Sequence, residues 1–106
     1  MAQYLFKLEV TTERRLDGWA ARSDPLTMIV YADSEEAVLK RMDEGIKFFI
    51  DSLQKNSVPG RELLKEYLDK HHVEYSIVDD PDGSATHGTR VTLISHTLEV
   101  LAVASK

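Results

Sequence analysis

The chain is 106 residues long with a formal net charge of −5 and a pI near 5.3, and it contains no cysteine. That length supports one domain, residues 1–106, and the missing cysteines exclude disulfides, thiolate metal sites and cysteine nucleophiles together. The acidic balance argues against a phosphate-binding surface, because Arg14-Arg15, Lys40-Arg41 and the spaced Arg61, Lys65 and Lys70 are each embedded among acids.

No basic-then-apolar leader is read at Met1-Ala2-Gln3-Tyr4, which gives the expectation of a soluble cytoplasmic protein. Tyr4, Phe6, Leu8 and Val10 alternate with Lys7, Glu9 and Thr11, the period of a strand with one buried face. Asp17-Gly18 signals a hairpin turn. Beyond it, Trp19, Ala21 and Ser23 alternate with Ala20, Arg22 and Asp24 until Pro25 interrupts the run. Thr27 to Ala32 is apolar on both faces and reads as an internal third strand.

The period then becomes helical. Asp33 or Ser34 can cap a helix that carries Glu35 and Glu36 in its first turn. Val38, Met42, Ile46, Phe49/Ile50 and Leu53 form its apolar stripe to about Lys55. Gly45 lies on that stripe and implies a close approach of helix to sheet. Phe48 lies off the stripe, beside Arg41, Glu44 and Ser52. It suits either a place beneath the next helix or a subunit contact. Asn56 to Gly60, with Pro59, ends this helix, and a shorter one carries Leu63, Leu64, Tyr67 and Leu68 as far as His71-His72.

Val73 to Val78 alternates again as a fourth strand, completing a βββααβ core over residues 1–78. Asp79 to Gly88 reads as a long polar turn. In Thr89 to Lys106, Val91, Ile94, Leu98 and Leu101 would make a helical stripe, but the β-branched residues favour one or two further strands as a C-terminal extension over residues 79–106, with Thr97 to Val103 as a candidate edge. The fold class is α+β: an antiparallel sheet in the order β-β-β-α-α-β-β with helices packed on one face.

Catalytic and cofactor signals are weak. None of the five glycines forms a phosphate cradle, and no serine sits in a Gly-x-Ser-x-Gly elbow. Adjacent His71 and His72 point about 100° apart on a helix, a poor start for a metal site and a good fit to the negative end of the helix dipole. The Asp79 to Gly83 run lacks the glutamate that a calcium loop needs at its twelfth position. Glu9, Asp17 and Asp24 could approach one another as a metal-dependent hydrolase requires, but Asp17 belongs to a turn and Asp24 precedes a proline. No catalytic residue, metal or cofactor is expected.

The ordered set YLFKLEV, then DGWAARSDP, then MIVYA, then ADSEEAVLKRMDEGIKFFIDSL resembles the HicB-like antitoxin family. The resemblance covers the first half of the chain well and the fourth strand loosely. It implies a truncated RNase H-like fold without catalytic carboxylates. It also implies a role restraining a small basic RNA-cleaving toxin, in a homodimer or higher homo-oligomer. On that reading Trp19, Arg22, Asp24, Pro25 and Phe48 belong to a partner-gripping surface. Two departures stand out. Leu26-Thr27 replaces the family's glycine after the loop proline, and Thr89 to Lys106 is too short for the family's frequent C-terminal DNA-binding domain. The alternative reading is a solitary nucleic-acid-binding or regulatory protein that uses Arg14-Arg15 and Lys40-Arg41. Neither reading involves a membrane.

Overall fold

In a computed structural model, residues 2–24, 26–58, 60–79 and 89–103 are described. Pro25, Pro59 and all of the expected polar turn Asp79 to Gly88 except Asp79, which ends a strand instead, lie outside them. The chain is an α+β structure of six antiparallel strands and two helices: β1 (Ala2–Arg15), β2 (Gly18–Asp24), β3 (Met28–Ala32), α1 (Glu35–Lys55), α2 (Leu63–Lys70), β4 (Tyr75–Asp79), β5 (Thr89–Ile94) and β6 (Thr97–Val103). The ambiguous C-terminal residues therefore supply two strands, one more than the expected order contains.

The sheet runs β3-β2-β1-β6-β5. Strand β1 is long enough to take two neighbours along one side, β4 over Ala2 to Phe6 and β2 over Glu9 to Arg15, while β6 lines the other side from Gln3 to Glu9. Two sequence expectations are reversed here. Met28–Ala32, read as internal, lies at the end of the strand order, and Thr97–Val103, offered as an edge, lies between β1 and β5. The reason is visible in burial. Leu98, Val100 and Ala102 are fully buried, so β6 belongs to the core and is no extension of it, whereas Ile29 and Tyr31 on β3 remain 50% and 55% exposed.

The core lies between one sheet face and the helices. Tyr4, Phe6, Leu8 and Val10 meet Leu98, Val100 and Ala102 on the sheet side, and Val38, Met42, Ile46 and Ile50 cover them from α1. Removing each of the Phe, Leu, Val, Ile and Met side chains among them from water contributes about 1.5–3 kcal/mol. At the start of α1, the Ser34 hydroxyl accepts from the Ala37 amide at 3.1 Å, and Glu35 and Glu36 sit at the positive end of the dipole. Gly45 plays its expected part, since a Cβ there would lie 3.2 Å from the Met28 sulfur. The N-cap of α2, Glu62, makes no side-chain cap; the Ser57 hydroxyl accepts from the Leu63 amide at 2.9 Å instead. Glu62 is thereby left to accept from the buried Tyr4 hydroxyl, tying α2 to β1.

Candidate functional site

The register of β2 against β1 sorts the candidate residues between two faces. Trp19, Ala21 and Ser23 oppose Arg14, Thr12 and Val10 and turn toward the helices, while Arg22 and Asp24 oppose Thr11 and Glu9 on the uncovered face. Trp19 packs, half-buried, against the core cluster. It therefore cannot share a surface patch with Arg22 in the way that one continuous gripping surface requires. Arg22 and Asp24 do meet: the guanidinium lies 3.2 Å from the carboxylate, with both side chains more than half exposed. An ion pair so exposed contributes about 0–1 kcal/mol. Its value is positional, since it holds both groups flat on the open sheet.

Charges of both signs continue along that face. Lys7 opposes Glu99, Glu13 lies 3.5 Å from Arg15, and the Arg15 guanidinium stands 5.8 Å from the centre of the Tyr31 ring. Around the end of the first hairpin, Arg15 and Arg41 line one open cleft with Trp19, Tyr31, Asp17 and Asp33. One arginine of each doublet, Arg15 and Arg41, thus meets the other in this cleft, with Asp17 and Asp33 lining it beside them. The hairpin itself depends on Gly18. Its φ is 151°, and a Cβ would fall 2.6 Å from the Ala32 carbonyl oxygen.

Phe48 does not pack beneath α2. It is 76% exposed on the outer flank of α1, and its neighbour Phe49 makes the interhelical contact instead, edge-on to Tyr67 with ring centroids 5.0 Å apart. On a helix that buries Met42, Ile46 and Ile50, position 49 falls beside the buried stripe and position 48 falls opposite it. The same geometry explains Arg41, whose Nη1 donates to the Tyr31 carbonyl at 2.8 Å and so reaches the outer edge of β3.

One cluster carries no sequence signal. The Thr12 hydroxyl donates to Glu35 at 2.7 Å, and His96 Nε2 lies 3.5 Å from the same carboxylate oxygen and 3.3 Å from Thr12 Oγ1. The Val10 amide also donates to the His96 carbonyl at 2.7 Å. With its proton directed to Glu35, the Thr12 hydroxyl is not activated by the imidazole, and nucleophilic catalysis would need the histidine between the two groups. The arrangement latches the β5–β6 turn and the first turn of α1 to β1.

His71 stacks on Tyr67 at 4.3 Å as the C-cap of α2. Glu9 and Asp24 are register partners, but Asp17 is at the far end of the hairpin. Among the described residues no group of three or more His, Asp or Glu could hold a metal ion. Burial, reinforced by the bond to Glu62, pushes the Tyr4 hydroxyl far above the usual phenol range, and burial also raises Tyr67. Burial and the nearby Glu44 raise the Asp43 carboxyl against the opposing effect of Lys47. The hydrogen bond to Asp69 raises Lys65. Among the described residues no helix is long and apolar enough to cross a membrane. Nothing matched the chain among protein-family models, curated proteins or solved structures.

Proposed function

We propose that this protein is a non-enzymatic protein-interaction module of the HicB-like type, which binds and restrains a small basic RNA-cleaving partner and itself forms a homo-oligomer. The observation that carries this reading is the sheet face that no described helix covers, on which Arg22 and Asp24 lie more than half exposed. It is broad and regular, and its charged groups pair with one another through Arg22–Asp24 and Glu13–Arg15 instead of converging on a reacting centre. The order of strand, turn, strand, strand, helix agrees with the order of the sequence motifs that carry the resemblance, which reach as far as Leu53. A surplus of acids over bases across the chain favours a basic partner through electrostatic steering. The Arg22–Asp24 pair then acts as a rim contact that can open and re-pair across an interface.

The test is a pull-down of tagged protein from its native host at moderate salt, followed by an RNA-cleavage assay on whatever is recovered at near-equal stoichiometry. A small basic protein that cleaves RNA alone, and stops when this chain is added, supports the reading. Recovery of the chain by itself, or of a partner whose RNA cleavage it leaves untouched, refutes it.

A further inference from the structure

Strand β3 has the sequence of an internal strand and the position of an edge. Met28-Ile29-Val30-Tyr31-Ala32 contains no charge and no proline, the usual protections of an exposed edge, whereas β5 carries Arg90 and β4 ends in Asp79. Because Arg41 reaches the Tyr31 carbonyl, that carbonyl points away from β2, and the two-residue period points the amide and carbonyl of Ile29 the same way. The outer edge thus presents amides and carbonyls at residues 29 and 31, with two exposed apolar side chains, Ile29 and Tyr31, on its open face. On the helix side, α1 runs antiparallel to β3: Arg41 lies beside Tyr31 and Gly45 beside Met28.

We propose that the outer edge of β3, with the Arg41, Glu44 and Phe48 flank of α1, is a two-fold self-association surface on which a second copy of this chain pairs antiparallel about Val30. The surface is self-complementary in that register. Ile29 falls opposite Tyr31 of the second copy and Tyr31 opposite its Ile29, giving two aromatic to β-branched pairs and two hydrogen-bonded residue pairs across the axis. The same axis passes α1 between Arg41 and Gly45, so Arg41 comes beside Glu44 of the second copy and the two charges match in both directions. Arg41 exchanges its hydrogen bond to Tyr31 for that carboxylate, and the freed carbonyl accepts from the incoming Ile29 amide. Phe48, exposed on the same flank, is covered at the margin. This specifies the self-association within the interaction-module reading and rests on it only there, because the edge geometry stands whether or not a toxin-like partner exists.

The absence of cysteine in the chain makes a clean test possible. Val30 would face its own symmetry mate as a non-hydrogen-bonded pair, the closest Cα approach in an antiparallel ladder. Val30→Cys, oxidised with glutathione, is therefore expected to give a disulfide-linked dimer, and Ile94→Cys at the opposite edge is not. In light scattering, the wild-type protein is expected at twice its 12.0 kDa chain mass. Ile29→Lys is expected to raise the monomer–dimer midpoint by roughly two- to thirtyfold, equivalent to losing the cross-strand pair on both sides of the axis. Unchanged far-UV circular dichroism would confirm that this half-exposed position leaves the fold intact. A wild-type mass of 12.0 kDa at millimolar concentration, or a dimer that the Val30→Cys substitution fails to cross-link, overturns the proposal. Neither result bears on the pull-down: a monomer removes the homo-oligomer from the proposed function and leaves its partner-binding part to that test, whereas a dimer that fails to cross-link removes only the β3 interface.

Discussion

Ser23 gives the sharpest test of the packing between β2 and α1. Its side chain is completely buried on the helix-facing side of the sheet, between Val10 and Met28 in register, and Oγ has no hydrogen-bond partner among the described residues. Leaving a buried hydroxyl unsatisfied costs about 1–3 kcal/mol. Ser23→Ala removes that cost and leaves a void of roughly 15 Å³, which returns about 0.4 kcal/mol at the usual cavity coefficient. The net expectation is a gain of about 1 kcal/mol, or about 4 °C in Tm for a domain of this size. Urea unfolding read by circular dichroism measures it, provided that the m-value is unchanged. A loss of about 1 kcal/mol or more would refute the argument, because it would mean that the hydroxyl is hydrogen-bonded in the folded protein.

The two adjacent phenylalanines should separate cleanly. Phe49→Ala, which removes the edge contact to Tyr67, is expected to cost about 2–3 kcal/mol, and Phe48→Ala to leave monomer stability within about 0.5 kcal/mol, both read by urea unfolding. Gly18→Ala forces a side chain into positive φ against the Ala32 carbonyl and should lower stability by roughly 2 kcal/mol or more, seen as a lower Tm. Thr89→Val removes a buried hydroxyl that donates to Asp51 at 2.6 Å and should cost about 1–2 kcal/mol by the same denaturant assay. Asp43 has its folded-state carboxyl raised by burial, so its ionisation opposes folding. The stability it contributes is full at acid pH and is lost as pH rises through the folded value. Asp43→Asn should therefore be more stable than wild type near pH 7 and should lose that advantage at about pH 3, below the ordinary carboxylate range. A constant difference across the range would show that the carboxyl does not titrate with folding.

Much of the architecture was legible because it is written in periods. The two-residue alternation of Tyr4 to Val10 and the helical stripe from Val38 to Leu53 each bury what they should. The helix cap at Ser34 and the spacing role of Gly45 are also local, and each follows from the identity of one residue. Strand order was not legible, because pairing partners are set by contacts distant in sequence. The chain therefore gave no signal that Thr97–Val103 would lie against β1 or that Met28–Ala32 would be left at the end. The candidate surface shows the same division. The alternation from Trp19 to Asp24 placed Arg22 and Asp24 together, yet grouping Trp19 with them ignored that the alternation assigns it to the other face. Helical spacing sets Phe49 on the apolar stripe and Phe48 off it, but it does not decide whether an off-stripe aromatic is covered by the next helix. The latch of Thr12, Glu35 and His96 joins three distant segments and could be found only in three dimensions.

The position of β6 has a consequence for how the chain acquires its fold. Phe6 is paired with Val100 and Leu8 with Leu98, so the first strand waits for one of the last before its inner side is closed. Helix α1 and the first hairpin can form from local contacts within microseconds, but joining β1 to β6 requires closing a loop that contains nearly everything else. During synthesis, one long side of β1 therefore stays open while both helices are being made. The unpaired amides and carbonyls along the Gln3 to Glu9 side of β1 remain open to other nascent chains until β6 emerges. A substitution that weakens β6 should slow folding as well as lower stability, which makes the yield of protein in the cell more sensitive to Leu98 and Val100 than to exposed hairpin residues such as Glu13 or Arg22, which take no part in that closure.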